Sequence, residues 1–223
     1  MRSTLLVLVV GCTPLAPFQT LETARPLDRG SVLVSVGAMA GAGQPPGLDT
    51  SAETSCCKSG VARVRVGIDG KQDVGVDGYV ISDGIWAGKL AYKRALTEHV
   101  AIATGAGGTV DGHARDTSVG GNVGVIGSTN ELDAIPHGRV YAAFQINGAI
   151  PLHADRYDNG GGPTLAVTAP VGLAVEHGPW QFDGELGAIV MVDRNNAFMD
   201  GATGTYRGAG AYAIVAAGYV FGR

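Results

Sequence analysis

From Ser31 onward, apolar residues alternate with small or polar ones in runs of roughly eight to twelve, and the runs are separated by breaks rich in Gly, Pro, Ser, Asp and Asn. Period-two alternation is the signature of strands that turn one face to an apolar medium. The clearest run is Gln181 to Asp193: Phe182, Leu186, Ala188, Val190 and Val192 fall on one side, and Asp183, Glu185, Gly187, Ile189, Met191 and Asp193 on the other. Ten such runs can be drawn: Ser31 to Met39, Val61 to Ile68, Asp73 to Ile81, Ile85 to Lys93, Val100 to Gly107, Ser118 to Gly127, Arg139 to Gly148, Thr164 to Val175, Gln181 to Asp193 and Gly208 to Phe221. Long breaks follow the first, fifth, seventh and ninth runs, and the shorter ones mostly follow the even runs. Asp69-Gly70 suits a tight hairpin. The short Ser82-Asp83-Gly84 joint falls where the pattern asks for a long one. An even strand count with turns on one rim and longer loops on the other predicts an all-β fold: an antiparallel up-and-down β-barrel of about ten strands, transmembrane.

Sorting the runs by face makes the prediction chemical. With the apolar set towards lipid, the inward set contains Arg63, Arg65, Asp73, Asp77, Lys89, Lys93, Arg139, Asp183 and Glu185, with Tyr141, Gln145 and Asn147 among them. Opposite signs on adjacent strands can pair across the ladder, as they must, because an isolated charge in a confined interior is costly. Ten strands leave little lumen beyond their own side chains, so a plugged or very narrow interior is expected rather than a wide pore. The competing arrangement is a periplasmic lipoprotein with a soluble, lipocalin-like barrel that binds an apolar ligand; it requires the two faces to be exchanged. Two features fit a membrane barrel poorly. Aromatic residues are only 6% of the chain, with Trp86, Tyr92, Phe144, Trp180, Phe182, Tyr219 and Phe221 as girdle candidates. Pro170 interrupts the eighth run, where a closed barrel has no edge to host it and a bulge would be needed.

The first thirty residues do not alternate. Met1 to Gly11 reads as a short signal peptide with Arg2 ahead of the apolar run Leu5 to Val10. Val9-Val10-Gly11-Cys12 resembles the bacterial lipobox, which implies acylation of Cys12. Residues 12–30 are then a lipidated N-terminus and periplasmic tether, and residues 31–223 the barrel. An even strand count returns the C-terminus to the rim where this anchor sits.

Composition narrows the function classes. The net charge of −4 offers no electrostatic footprint for nucleic acid. The 36 glycines suggest tight turns and close strand approach. Cys56 and Cys57 sit in the first long break, where a vicinal disulfide, two free thiols or an intermolecular link are all open. No CxxC or HExxH occurs, and the five histidines lack ligand spacing, so neither a metal nor a cofactor is expected. His113 with Asp116 and Ser118, and His153 with Asp155 and Asp158, are the only loop groupings that could imitate a rim hydrolase; no enzyme is expected.

Val215, Ala217, Tyr219 and Phe221 alternate towards a terminal aromatic, similar to the C-terminal signal read by the barrel-assembly machinery, although Gly222 and Arg223 follow. Phe18-Gln19-Thr20, with Ala24-Arg25-Pro26-Leu27 and Gly30, resembles the lead-in of small lipobox-bearing barrel proteins of Gram-negative bacteria. The resemblance implies residence in the cell outer membrane, with membrane lipid and the assembly machinery as partners. It also implies a structural, adhesion-like or narrow small-solute role, with the solute or surface partner left open.

Overall fold

The computed structural model describes residues 21–44, 55–81, 85–111, 117–153, 163–194 and 205–222. They form ten strands: β1 (Val32–Gln44), β2 (Ser55–Gly67), β3 (Gln72–Ile81), β4 (Ile85–Ala95), β5 (Val100–Asp111), β6 (Thr117–Ser128), β7 (Gly138–His153), β8 (Thr164–His177), β9 (Trp180–Arg194) and β10 (Thr205–Phe221). Each pairs antiparallel with its chain neighbours, and β1 closes onto β10 with Val32 opposite Phe221 and Gln44 opposite Ala209. Closure leaves no strand edge, so the ladder satisfies the backbone polar groups without help from water.

Connections 68–71, 96–99, 129–137 and 178–179 lie on one rim, together with the start of β1 and the end of β10. At the first of these, the Ile68 N–H donates to the Gln72 carbonyl at 2.9 Å, and Gly70 takes a φ of +77° that favours glycine. The Asp69 carboxylate accepts from the Lys71 backbone N–H at 2.9 Å and from the Gln72 amide at 2.8 Å, and these bonds lower its pKa. The other rim carries the ends of β1, β3, β5, β7 and β9 and the starts of β2, β4, β6, β8 and β10.

Several strands run further towards the second rim than alternation predicts. β1 extends to Gln44 and β2 begins at Ser55, so Cys56 and Cys57 are paired strand residues opposite Ala42 and Gly41 rather than loop residues. These strand ends are small and polar, and backbone pairing, which needs no apolar alternation, keeps them in the sheet. Pro170 also corrects the expectation, because no bulge forms. Ala142 faces Val171 and Gln145 faces Thr168 in one unbroken register, and the β7–β8 ladder merely skips Ala143 and Phe144. The pairing of Pro170 with Gly187 on β9 continues.

The faces sort as the alternation requires. Val36, Leu90, Ile150, Leu186 and Val215 point outward, Leu186 with 68% of its surface exposed, while Arg63, Asp77, Lys89 and Glu185 are buried inside. Inward glycines form slots for long side chains from the next strand. Tyr141 lies over Gly172 and Tyr212 over Gly187, each ring filling the space a Cβ would take. Arg65 covers Gly75, Lys89 covers Gly105 and Gln145 covers Gly124 in the same way. Aromatic residues concentrate at the short-turn rim, where Trp180 meets Tyr219 edge-on at 5.2 Å between ring centroids and Tyr219 meets Phe221 at 4.7 Å.

Gly187→Val should cost about 1–3 kcal/mol because its side chain displaces the Tyr212 ring, whereas Gly184→Val, with nothing within 4 Å of its added Cβ, should be near neutral. Urea unfolding midpoints in detergent compare the two, and equal losses would contradict the slot.

Candidate functional site: a charged lumen closed at one mouth

Register assembles the lumen charges. Arg63 on β2 stands opposite Asp77 on β3, which stands opposite Lys89 on β4. Asp77, fully buried, becomes the shared anion of three cations: Arg63 at 3.3 Å, Lys89 at 3.3 Å, and Arg65, which grips both carboxylate oxygens. The Tyr79 hydroxyl also donates to it at 3.2 Å. Bidentate Arg–carboxylate geometry is the strongest of these arrangements. Four residues further towards the short-turn rim, Asp73 pairs with Lys93 at 3.1 Å.

Strands β2 to β4 thus bring four cations inward against two carboxylates, and the third carboxylate comes from outside the barrel wall. Glu22 lies 2.9 Å from both Arg65 and Lys93 and 3.9 Å from Arg63. Burial works against its charge, and these three cations offset that cost. Glu22 was absent from the inward set predicted by alternation, because it lies in no strand. The available signal was the surplus of cations over carboxylates on β2 to β4.

The described part of the expected tether, Leu21 to Gly30, therefore does not hang free of the barrel. It enters the short-turn mouth and lies among the lumen side chains. With no strand beside it, its backbone uses the lumen's charged and polar groups as partners. The Leu21 N–H donates to Glu185 at 2.7 Å, and the Leu21 carbonyl accepts from Arg63 at 2.7 Å. The Ala24 N–H donates to the Ser128 hydroxyl at 3.3 Å and the Leu27 N–H to Asp73 at 3.4 Å, while Lys93 donates to the Thr23 and Arg25 carbonyls. Leu21 packs with Val61, Tyr79, Ala87, Tyr212 and Ile214, and Ala24 with Ala101, Ile126, Tyr141 and Ala174. Burying a leucine contributes roughly 1.5–3 kcal/mol. The cavity beside this segment measures about 30 Å³, enough to hold water.

The remaining predicted residues divide by location. Glu185 accepts from the Tyr141 and Tyr212 hydroxyls at 3.0 and 2.9 Å, and Asp183 from the Gln181 amide at 3.1 and 3.0 Å, so both carboxylates face the lumen from β9. Arg139 departs from the predicted network: it sits next to the rim, and its guanidinium finds Glu131 of the 129–137 connection at 2.9 Å. Cys12, His113, Asp116, Asp155 and Asp158 lie outside the described residues. Ser118 faces inward and bonds Thr109. Among the described residues no three His, Cys, Asp or Glu side chains form a metal-holding group, and no helix is long and apolar enough to cross a membrane.

No protein-family model and no curated protein matches the chain. Among solved structures it is similar in strand arrangement to the outer membrane protein OprG from Pseudomonas aeruginosa, at 8% identity over 90% of this chain and 99% of that one, with a TM-score of 0.38. It is likewise similar to Neisserial surface protein A, at 10% identity over 86% and 99% with a TM-score of 0.41, and to outer membrane protein AlkL, at 9% over 92% and 94% with 0.42.

Asp77→Ala leaves three buried cations without their shared anion and should destabilise the barrel by about 3–5 kcal/mol, read as a lower urea midpoint. Glu22→Gln removes one carboxylate from Arg65 and Lys93 and should also lower the midpoint, by less than Asp77→Ala because Asp77 and Asp73 still face those cations, and it should speed amide exchange at Leu21 and Ala24 at least about tenfold. Unchanged exchange at both amides in the variant would refute the role of Glu22.

Proposed function

We propose that the chain is an outer-membrane β-barrel, stoppered on its periplasmic side by Leu21 to Gly30, that serves a structural or adhesion-like role and presents its second-rim connections at the cell surface. The carrying observation is the sorting of faces on a closed ladder, with the apolar set outward and the paired charges inward. In water the outward set would be an apolar surface larger than soluble monomers tolerate; in a bilayer it faces its proper solvent. A lipocalin-like barrel needs Val36, Leu90 and Leu186 inside and Arg63 and Asp77 outside, the reverse of what is found. Short connections then face the periplasm and the other rim faces out. Acylation of Cys12 and recognition of the Tyr219–Phe221 end by the assembly machinery belong to the same reading.

A narrow solute passage is the second reading, favoured by one observation. Side chains rather than ladder pairing hold the stopper, so it can leave without opening the sheet.

Refolded protein should show heat-modifiable gel mobility and give no conductance steps in planar bilayers, while deletion of residues 21–29 should produce steps. Steps from the intact chain would refute the stopper, and extraction of the protein from membranes by carbonate would refute membrane residence.

A further inference from the structure

Arg65 and Lys93 are each held from two sides. On the wall side, Arg65 donates to both Asp77 carboxylate oxygens, and Asp73 lies 3.1 Å from Lys93. On the stopper side, one Glu22 oxygen accepts from Arg65 Nε and Nη2 at 3.3 and 2.9 Å, and the other lies 2.9 Å from Lys93. Arg63 completes the surround, 3.3 Å from Asp77 and 3.9 Å from Glu22. The wall contacts do not involve the segment, and the Arg65 side chain is further seated over Gly75. The three cations are therefore positioned whatever faces them from the stopper side, and a preformed site spares its ligand the cost of ordering it.

We propose that Arg63, Arg65 and Lys93 form a binding site for the carboxylate of a small monoanionic solute, and that Glu22 is its resident occupant. The solute's access rests on the second reading above: when the stopper leaves, Glu22 leaves with it and the seat faces the short-turn mouth. A guanidinium fork on one oxygen and an ammonium on the other suit a planar carboxylate. A neutral amide or hydroxyl would fill the seat without restoring a counter-charge to buried cations. A dianion is disfavoured too, because the occupant shares Lys93 with Asp73 and Arg65 with Asp77, and each added negative charge meets those carboxylates at close range.

The site's size sets the probe. Glu22→Ala removes a methylene and a carboxylate, which are the heavy atoms of acetate. The space they vacate joins the cavity of about 30 Å³ lined in part by Glu22, Arg63, Arg65, Asp73 and Lys93.

Full-length Glu22→Ala, refolded in detergent at neutral pH, is unfolded in urea at rising sodium acetate. Sodium chloride at equal ionic strength and acetamide, the neutral isostere, are the controls. A ligand that binds the folded state raises the midpoint by mass action. Acetate should restore at least half of the midpoint lost on Glu22→Ala, with a saturating dependence, and neither control should do so. In the wild type, where Glu22 fills the seat, acetate should act no more strongly than chloride. Equal effects of acetate and chloride on the variant, or an equal gain from acetate in the wild type, overturn the site. Rescue by phosphate without rescue by acetate overturns the assignment to a carboxylate. Lys93→Gln in the Glu22→Ala background should abolish the rescue, and an undiminished rescue there overturns the site as well. Bilayer conductance of the 21–29 deletion judges the passage separately, so the two failures are distinguishable.

Discussion

A cation buried in a narrow, water-poor lumen must have a carboxylate beside it, and the interior of this barrel is arranged around that requirement. β2 to β4 place Arg63, Arg65, Lys89 and Lys93 inward and supply only Asp73 and Asp77 in return. Removing either partner from such a cluster strands the other at a cost of several kcal/mol. On that side of the lumen the imbalance is relieved by Glu22, which lies outside the sheet altogether, while Asp183 and Glu185 face the lumen from β9. Charge balance, local closure of the mouth and the path of the first described residues are therefore one arrangement.

Glycine serves that arrangement from the wall side. A ten-stranded barrel has little interior volume, yet it holds arginine, lysine, glutamine and tyrosine side chains. They fit because Gly75, Gly105, Gly124, Gly172 and Gly187 leave recesses across which the neighbouring strand's side chain can lie flat. The intrinsic weakness of glycine in strands is offset by the packing and ion pairing it permits.

Much of this was legible from alternation alone, because a period of two assigns each residue to a face as soon as a strand is recognised. Arg63, Asp77, Lys89 and Glu185 could be placed inside that way. What alternation could not reach is what it does not encode. Ala40 to Gly43 and Ser55 to Lys58 carry no apolar rhythm, so the far ends of β1 and β2 read as a loop and drew Cys56 and Cys57 with them. Arg139 has the right parity but sits at the rim, where it pairs with Glu131 of the preceding connection. Leu21 to Gly30 have no strand pattern, and their position depends on partners more than forty residues away.

The hydrogen bond from Leu21 to Glu185 joins residues 164 positions apart. A contact of that span forms late, since loop closure must come first and non-local topologies are slow. The segment from Leu21 thus waits for nearly the last strand before its carboxylate partner exists. The barrel is wrapped around a stretch of its own chain, and a sheet that closed before that stretch had entered would hold Arg65 and Lys93 without Glu22 until the segment threaded in through the short-turn mouth.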